Sequence, residues 1–218
     1  MKTVVMTGGT AGLGAVAAQQ IFRTQNTRLL LGARGRAPNQ IETLHLDLTS
    51  LANVRAFAAD VAAELRNTLI DVLVLNAGVQ FTNVNQRTKD GFETTFAVNH
   101  LSHYLLLRLL LPRLAECAVV VITTSDTHDP ALNPLGPKQI DPERLARPPV
   151  DGPRGFLAGV RAYSSSKLCN LLSARALAAS ADAKARDVRV VAYNYRSVTL
   201  TYYVYMSLLT NGRKVSRC

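Results

Sequence analysis

The sequence predicts an α/β domain in which a parallel sheet is covered by helices. Three observations carry that prediction. Short apolar runs alternate along the chain with longer amphipathic stretches, as strand–helix crossovers require. The short runs are dense in Val, Leu and Ile without strict alternation, the composition of strands buried on both faces. A glycine-rich turn, "TGGTAGLG", stands between the first apolar run and the first amphipathic stretch.

The elements follow in order. "KTVVMTG" reads as the first strand and leads through the glycines into a helix over 14–22, where apolar residues recur at helical spacing. "TRLLLGA" is the second strand. The crossover over 34–41 then holds hardly a turn of helix, although such connections usually take about a dozen residues. "IETLHLD" is the third strand, and Thr49 or Ser50 caps a helix over 51–65. "IDVLVLNAG", a helix over 92–111, and "AVVVITTS" come next. The segment 127–161 is rich in Pro and Gly. It reads as a surface loop with a brief helix at "DPERLA", of the kind that covers active sites. A helix over 160–179 and the strand "DVRVVAYN" complete the pattern.

Composition narrows the function. At 218 residues, with 48% hydrophobic and 18% charged residues, the chain is globular and of single-domain size. The richest apolar run, "HYLLLRLLLPRL", is interrupted by Arg108 and closed by Pro112, so no transmembrane segment is expected. No basic leader with a small-residue cleavage site precedes the first strand, which argues against a secretory signal. Cys117, Cys169 and Cys218 are odd in number and widely spaced. None has metal-ligand spacing to the four histidines. No metal site and a reduced, cytoplasmic protein are the expectations. A net charge of +10 raises the possibility of nucleic acid, but the arginines are scattered and no recognition motif accompanies them. The balance fits a solvated surface that attracts anionic small molecules.

The glycine turn points to such a molecule. Gly8, Gly12 and Gly14 permit a tight turn and let the backbone approach a pyrophosphate, while the next helix aims its positive N-terminus at it. At the end of the second strand an acid would bond a ribose hydroxyl, whereas an arginine accommodates a 2′-phosphate. The sequence there is "GARGR". Arg34, helped by Arg36, favours NADP(H) over NAD(H), the other reading of Arg34 being an exposed loop charge.

The succession "TGGTAGLG", "LDL", "NAG", "VNH", "TTS", "YSSSK" resembles the short-chain dehydrogenases/reductases, in that family's order. Similarity is greatest to the branch holding retinol dehydrogenases and protochlorophyllide reductase, and it spans residues 2–194. The resemblance implies a doubly wound Rossmann sheet with Gly8, Thr10, Gly12, Leu13 and Gly14 in the cofactor turn. It places Asp47 and Leu48 beside the adenine, and Asn76, Ala77 and Gly78 beside the cofactor at the end of the fourth strand. Asn99 would hold a water for proton relay, and Ser125 would bond the substrate oxygen. Each has a plainer role too: Asp47 as a helix cap, Asn99 as a buried hydrogen bonder, Ser125 as a strand-end turn residue. The family also implies a homodimer or tetramer paired through the helices over 92–111 and 160–179. Its branch implies a bulky, apolar carbonyl or alcohol substrate, and leaves reduction of a carbon–carbon double bond open.

In "YSSSK", Tyr163 and Lys167 lie four residues apart on one helical face. Hydride transfer to a carbonyl generates an alkoxide, which needs a proton donor within reach. Free tyrosine has a pKa of about 10, and a neighbouring ammonium is expected to lower it. Tyr163 is therefore the expected general acid/base and Lys167 its tuner. By resemblance Lys167 also binds the nicotinamide ribose, and the small serines between them admit cofactor and substrate.

After Asn194 the character changes to "YRSVTLTYYVYMSLLTNGRKVSRC", and no Asp or Glu follows Asp187. The Pro-Gly turn of the family, expected near Tyr195 and Arg196, is absent. The expected organisation is a dinucleotide-binding domain over 1–194, with a substrate-side loop at 127–161. An atypical tail over 195–218 follows, in which the final strand and substrate cover are missing or replaced. One explanation is a reading frame or terminus altered just after Asn194, which sequencing the encoding DNA would decide. The other is that "SVTLTYYVYM" forms an element of its own. Two functions are thus carried forward. One is an NADP(H)-dependent oxidoreductase acting on a carbonyl or secondary alcohol. The other is a truncated module that binds the dinucleotide with little or no turnover.

Overall fold

The computed structural model of the chain describes residues 1–35, 41–149 and 155–194. The expectations for Arg36, for the tail over 195–218 and for its replacement of a final strand lie outside those residues. One six-stranded sheet, every strand parallel to its neighbours, organises the fold in the order β3-β2-β1-β4-β5-β6. Its strands are β1 (Lys2–Thr7), β2 (Thr27–Ala33), β3 (Glu42–His45), β4 (Ile70–Leu75), β5 (Leu114–Thr123) and β6 (Arg189–Tyr193). The chain winds outward from β1 in one direction and from β4 in the other. The crevice between them, outside the strands' carboxyl ends, is where open α/β sheets bind ligands.

Strand alternation sorts the core into two layers. Val4, Met6, Leu29, Leu31, Val72 and Val74 face α1 (Gly12–Arg23), which contributes Ala17, Ala18 and Ile21. Val5, Leu30, Leu73 and Val120 face the opposite side. There they join Phe57 of α2 (Leu51–Leu65), Leu106 of α4 (Ser102–Leu110) and Leu177 of α6 (Phe156–Ala179). The capping alternative is settled by geometry: the Ser50 hydroxyl accepts from Asn53 N at 3.3 Å.

Three boundaries differ from the sequence reading. The helix over 92–111 is not continuous: α3 (Thr94–Phe96) passes through a π-helical turn (Ala97–Leu101) before α4. β5 begins at Leu114, before a register shift opposite Ile70 and Val72; Cys117, in that stretch, has φ 56°. Helix α6 starts a turn before residue 160, so the loop is shorter than expected. That loop contains a 3₁₀ turn (Asp126–His128) and α5 (Pro142–Ala146), capped by Asp141; α7 (Ala181–Ala185) then precedes β6.

Candidate active site

A cavity of about 620 Å³ opens at the carboxyl ends of the strands. Its wall takes in Gly8, Thr10, Leu13 and Gly14 of the glycine turn, and Arg34 after β2. Asp47 and Leu48 follow β3, Asn76, Ala77 and Gly78 follow β4, and Tyr163 and Lys167 come from α6. Residues distant in sequence are thereby gathered at one crevice. Of the expected set, Gly12, Asn99 and Ser125 stand behind that wall or beside it.

Glycine is required at two positions of the turn for close approach. A Cβ on Gly8 (φ +70°) would lie 2.5 Å from Ala77 Cα, and one on Gly14 would lie 1.9 Å from the Gly8 carbonyl oxygen. Asn76 Nδ2 donates to that same oxygen at 2.9 Å, tying the turn to the end of β4. Gly12 (φ +54°) faces open space, and the N-cap Ala11 offers no side-chain acceptor to the first amides of α1. An open glycine beside uncapped helix amides fits a pyrophosphate.

At the adenosine end, Asp47 lies on the cavity wall and bonds within its own turn; the helix cap, its alternative role, falls to Ser50. Asp47 Oδ1 accepts from Thr49 N at 3.0 Å and from Thr49 Oγ1 at 2.8 Å. Burial would push this carboxyl up, but the Thr49 bonds, with Lys89 and Arg34 nearby, hold it below the usual carboxylate range. Leu48 presents its carbonyl to Ser102 Oγ at 2.7 Å.

Tyr163 and Lys167 do meet on one face of α6, with Nζ 5.5 Å from the phenol ring centroid. The Lys167 ammonium also donates to the Thr123 carbonyl at 3.3 Å. Ser125 hydrogen-bonds the Tyr163 side chain and accepts from Thr127 N and Oγ1 at 3.3 and 3.0 Å. The expected charge effect is not what the surroundings produce. Burial pushes the Tyr163 phenol above its ordinary value, against the Ser125 hydrogen bond, and the Asp126 charge adds to the rise. Burial likewise lowers Lys167 to about 8. Removing water penalises phenolate and ammonium alike, and this outweighs their proximity.

Asn99 lies fully buried in the π turn. Its side chain clasps Val79, accepting from the backbone N at 2.7 Å and donating to the carbonyl at 2.9 Å. The same amide donates to Ser166 Oγ at 3.1 Å. The Asn99 carbonyl accepts from His103 Nδ1 and from Asn170 Nδ2, both at 3.1 Å. With two lone pairs on a carbonyl, that acceptor is filled by protein donors. Asn99 thus makes the contacts of a buried hydrogen bonder.

Sequence reasoning passed over Thr7, His103 and Asn170, which complete this polar layer. Asn170 donates to the Thr123 carbonyl at 3.1 Å as well, the oxygen that Lys167 uses. A signal was present: Asn170 follows Lys167 by three residues and His103 follows Asn99 by four, each on the same helical face. Among the described residues no group of His, Cys, Asp and Glu could hold a metal ion, and no helix is long and apolar enough to cross a membrane.

Comparison with known proteins is consistent with this geometry. The family model for short chain dehydrogenase matches residues 2–132. Human dehydrogenase/reductase SDR family member 13 is 35% identical over 194 residues, covering 81% of this chain and 47% of that protein. Mouse retinol dehydrogenase 14 is 30% identical over 234 residues, covering 95% of this chain and 65% of that one. The chain thus spans about half to two thirds of the length of these curated relatives. A crystal structure of an uncharacterised protein from Mycobacterium paratuberculosis superimposes with a TM-score of 0.72 at 31% identity, covering 95% of this chain and 74% of that one.

Proposed function

The chain belongs to the short-chain dehydrogenase/reductase family, in the branch of the retinol dehydrogenases and protochlorophyllide reductase, and from that premise we propose that it is an NADP(H)-dependent oxidoreductase acting on a carbonyl or secondary alcohol. The observation that carries this reading is the shared wall of one cavity, which holds the glycine turn at one end and the Tyr163–Lys167 pair at the other. A bound nicotinamide dinucleotide supplies or takes up the hydride. Tyr163 delivers the proton to the substrate oxygen, Ser125 orients that oxygen through its bond to the phenol, and Lys167 holds the ribose side. Val79, Phe81 and Val98 on the wall support an apolar substrate.

Arg34 beside Asp47 supports the phosphorylated dinucleotide. Fluorescence titration should show NADPH bound more tightly than NADH, and Arg34→Ala should erase the difference; equal affinities in the wild type would overturn the preference. Exposed Tyr104 on α4 and Leu172 on α6 support pairing of two copies through these helices.

The central test is NADPH consumption with a panel of ketones and aldehydes. Tyr163→Phe should keep NADPH binding and lose about 10²–10⁴-fold in turnover. A second reading, a module that binds without turnover, is favoured by the break in family character after Asn194. NADPH binding with no consumption, unaltered by Tyr163→Phe, would select it.

A further inference from the structure

His103 belongs to none of the motifs, yet the segment that floors the cavity is built around it. Residues 76–79 leave β4 and are held at two points by buried side chains. At the first, Thr7 Oγ1 accepts from Asn76 N at 3.0 Å and from Ala77 N at 3.1 Å. At the second, Asn99 clasps both backbone groups of Val79. Gly78 lies between them. A Cβ built on it would come within 3.4 Å of both Lys167 Nζ and Asn99 Oδ1.

His103 joins the two holders. Its Nε2 lies 2.9 Å from Thr7 Oγ1, and its Nδ1 lies 3.1 Å from the Asn99 carbonyl oxygen. Two amides already fill the lone pairs of Thr7, so the hydroxyl proton goes to Nε2. That leaves the ring proton on Nδ1, which donates to Asn99. A neutral imidazole in this one tautomer satisfies both bonds. An imidazolium could not accept from Thr7. Burial, assisted by the Lys167 charge and opposed by the bond to the Asn99 carbonyl, holds His103 at about 4, so the ring is neutral at physiological pH.

We propose that His103 is a positioning residue. As the Nδ1–H tautomer it couples Thr7 to Asn99 and fixes the course of residues 76–79 along the floor of the dinucleotide cavity. Its affinity readout rests on the dinucleotide reading above; its structural readouts do not.

Three measurements on the full chain test the inference. In ¹⁵N-histidine spectra at pH 7, the signal lost in His103→Phe should report a protonated Nδ1 and a bare Nε2. The opposite tautomer would overturn the proposal. Amide hydrogen exchange in the same variant should accelerate about tenfold or more at Ala77 and Val79 while the central strands keep their protection. Unchanged exchange at those amides, or an equal increase throughout the sheet, would reduce His103 to an ordinary core residue. NADPH affinity, measured on the folded fraction, should weaken about three- to tenfold in His103→Phe, the scale of one lost buried hydrogen bond. Thr7→Val should do the same, Thr7→Ser should retain wild-type affinity, and the double variant should be no weaker than either single one. Should His103→Phe fail to fold, His103→Gln, which keeps a donor and an acceptor, takes its place in assigning the ¹⁵N signal, and Thr7→Val takes its place in the exchange and affinity measurements. A wild-type chain that binds no NADPH refutes the dinucleotide reading, and the tautomer and exchange results still decide the role of His103.

Discussion

A phenol and an ammonium one helical turn apart influence each other only as far as their surroundings permit. The spacing of Tyr163 and Lys167 is legible in "YSSSK", and so is the chemistry the pair could serve. The direction of the phenol's shift is not, because it depends on how much water β5, the 3₁₀ turn and the end of β4 remove from around α6. Lys167 is 2% exposed and lowered to about 8 by burial alone. Its folded pKa lies below the unfolded value of 10.5, so the unfolded chain binds the proton more tightly. The resulting penalty is full below about pH 8 and disappears above pH 10.5. Replacing the ammonium with an apolar side chain should relieve it. Lys167→Met is expected to stabilise the fold at pH 7 by on the order of 1–3 kcal/mol in urea unfolding, while NADPH consumption collapses. A variant no more stable than wild type would mean that the ammonium is better solvated than its burial implies.

At the level of elements, apolar periodicity marks what is regular and misses what is not. β2 and α2 fall at the residues their patterns predict, since an apolar stripe or run reports burial directly. The π turn is invisible to that reading. One extra residue per turn leaves the flanking stripes of Phe96 and Leu106 intact, and only the Asn99 carbonyl, turned toward His103 and Asn170, reveals it. The start of β5 hides for a related reason: Glu116 and Cys117 interrupt the apolar run where the register shifts. The glycine turn offers a test of what each residue in an element contributes. Gly14→Ala drives a methyl into the Gly8 carbonyl, and the backbone must move, at a cost of about 1–3 kcal/mol or more. Gly12→Ala meets nothing and bears only the left-handed backbone cost of about 1–2 kcal/mol. Thermal unfolding should therefore fall in both. NADPH affinity should suffer most in Gly14→Ala, because that change also displaces Asn76 from the turn. Equal effects of the two substitutions on affinity would contradict the close-approach account.

Across the whole molecule, the order β3-β2-β1-β4-β5-β6 brings Thr7, Asn76 and Thr123 to the same edge of the sheet. Buried His103 lies against that edge, a placement the topology implies but no single motif states. Its consequence is a pH dependence of stability. His103 is held at about 4 in the fold, against an ordinary value of 6.5, and His100 is lowered in the same direction by burial. Between these pH values the unfolded chain takes up a proton that the folded chain refuses. The stability associated with neutral His103 is thus complete above about pH 6.5 and declines as pH falls toward 4. From the two pKa values the loss amounts to about 3 kcal/mol. The chain already carries a formal charge of +10, so each proton gained also adds to its self-repulsion. Calorimetry at pH 7, 5.5 and 4.5 should show Tm falling steadily in the wild type. His103→Phe, which starts from a lower Tm, should fall less steeply, because its buried ring has no proton to accept. Parallel slopes in the two proteins would place the acid sensitivity in His100 and the carboxylates instead, and would mean that the His103 ring takes up its proton as readily in the fold as in the unfolded chain.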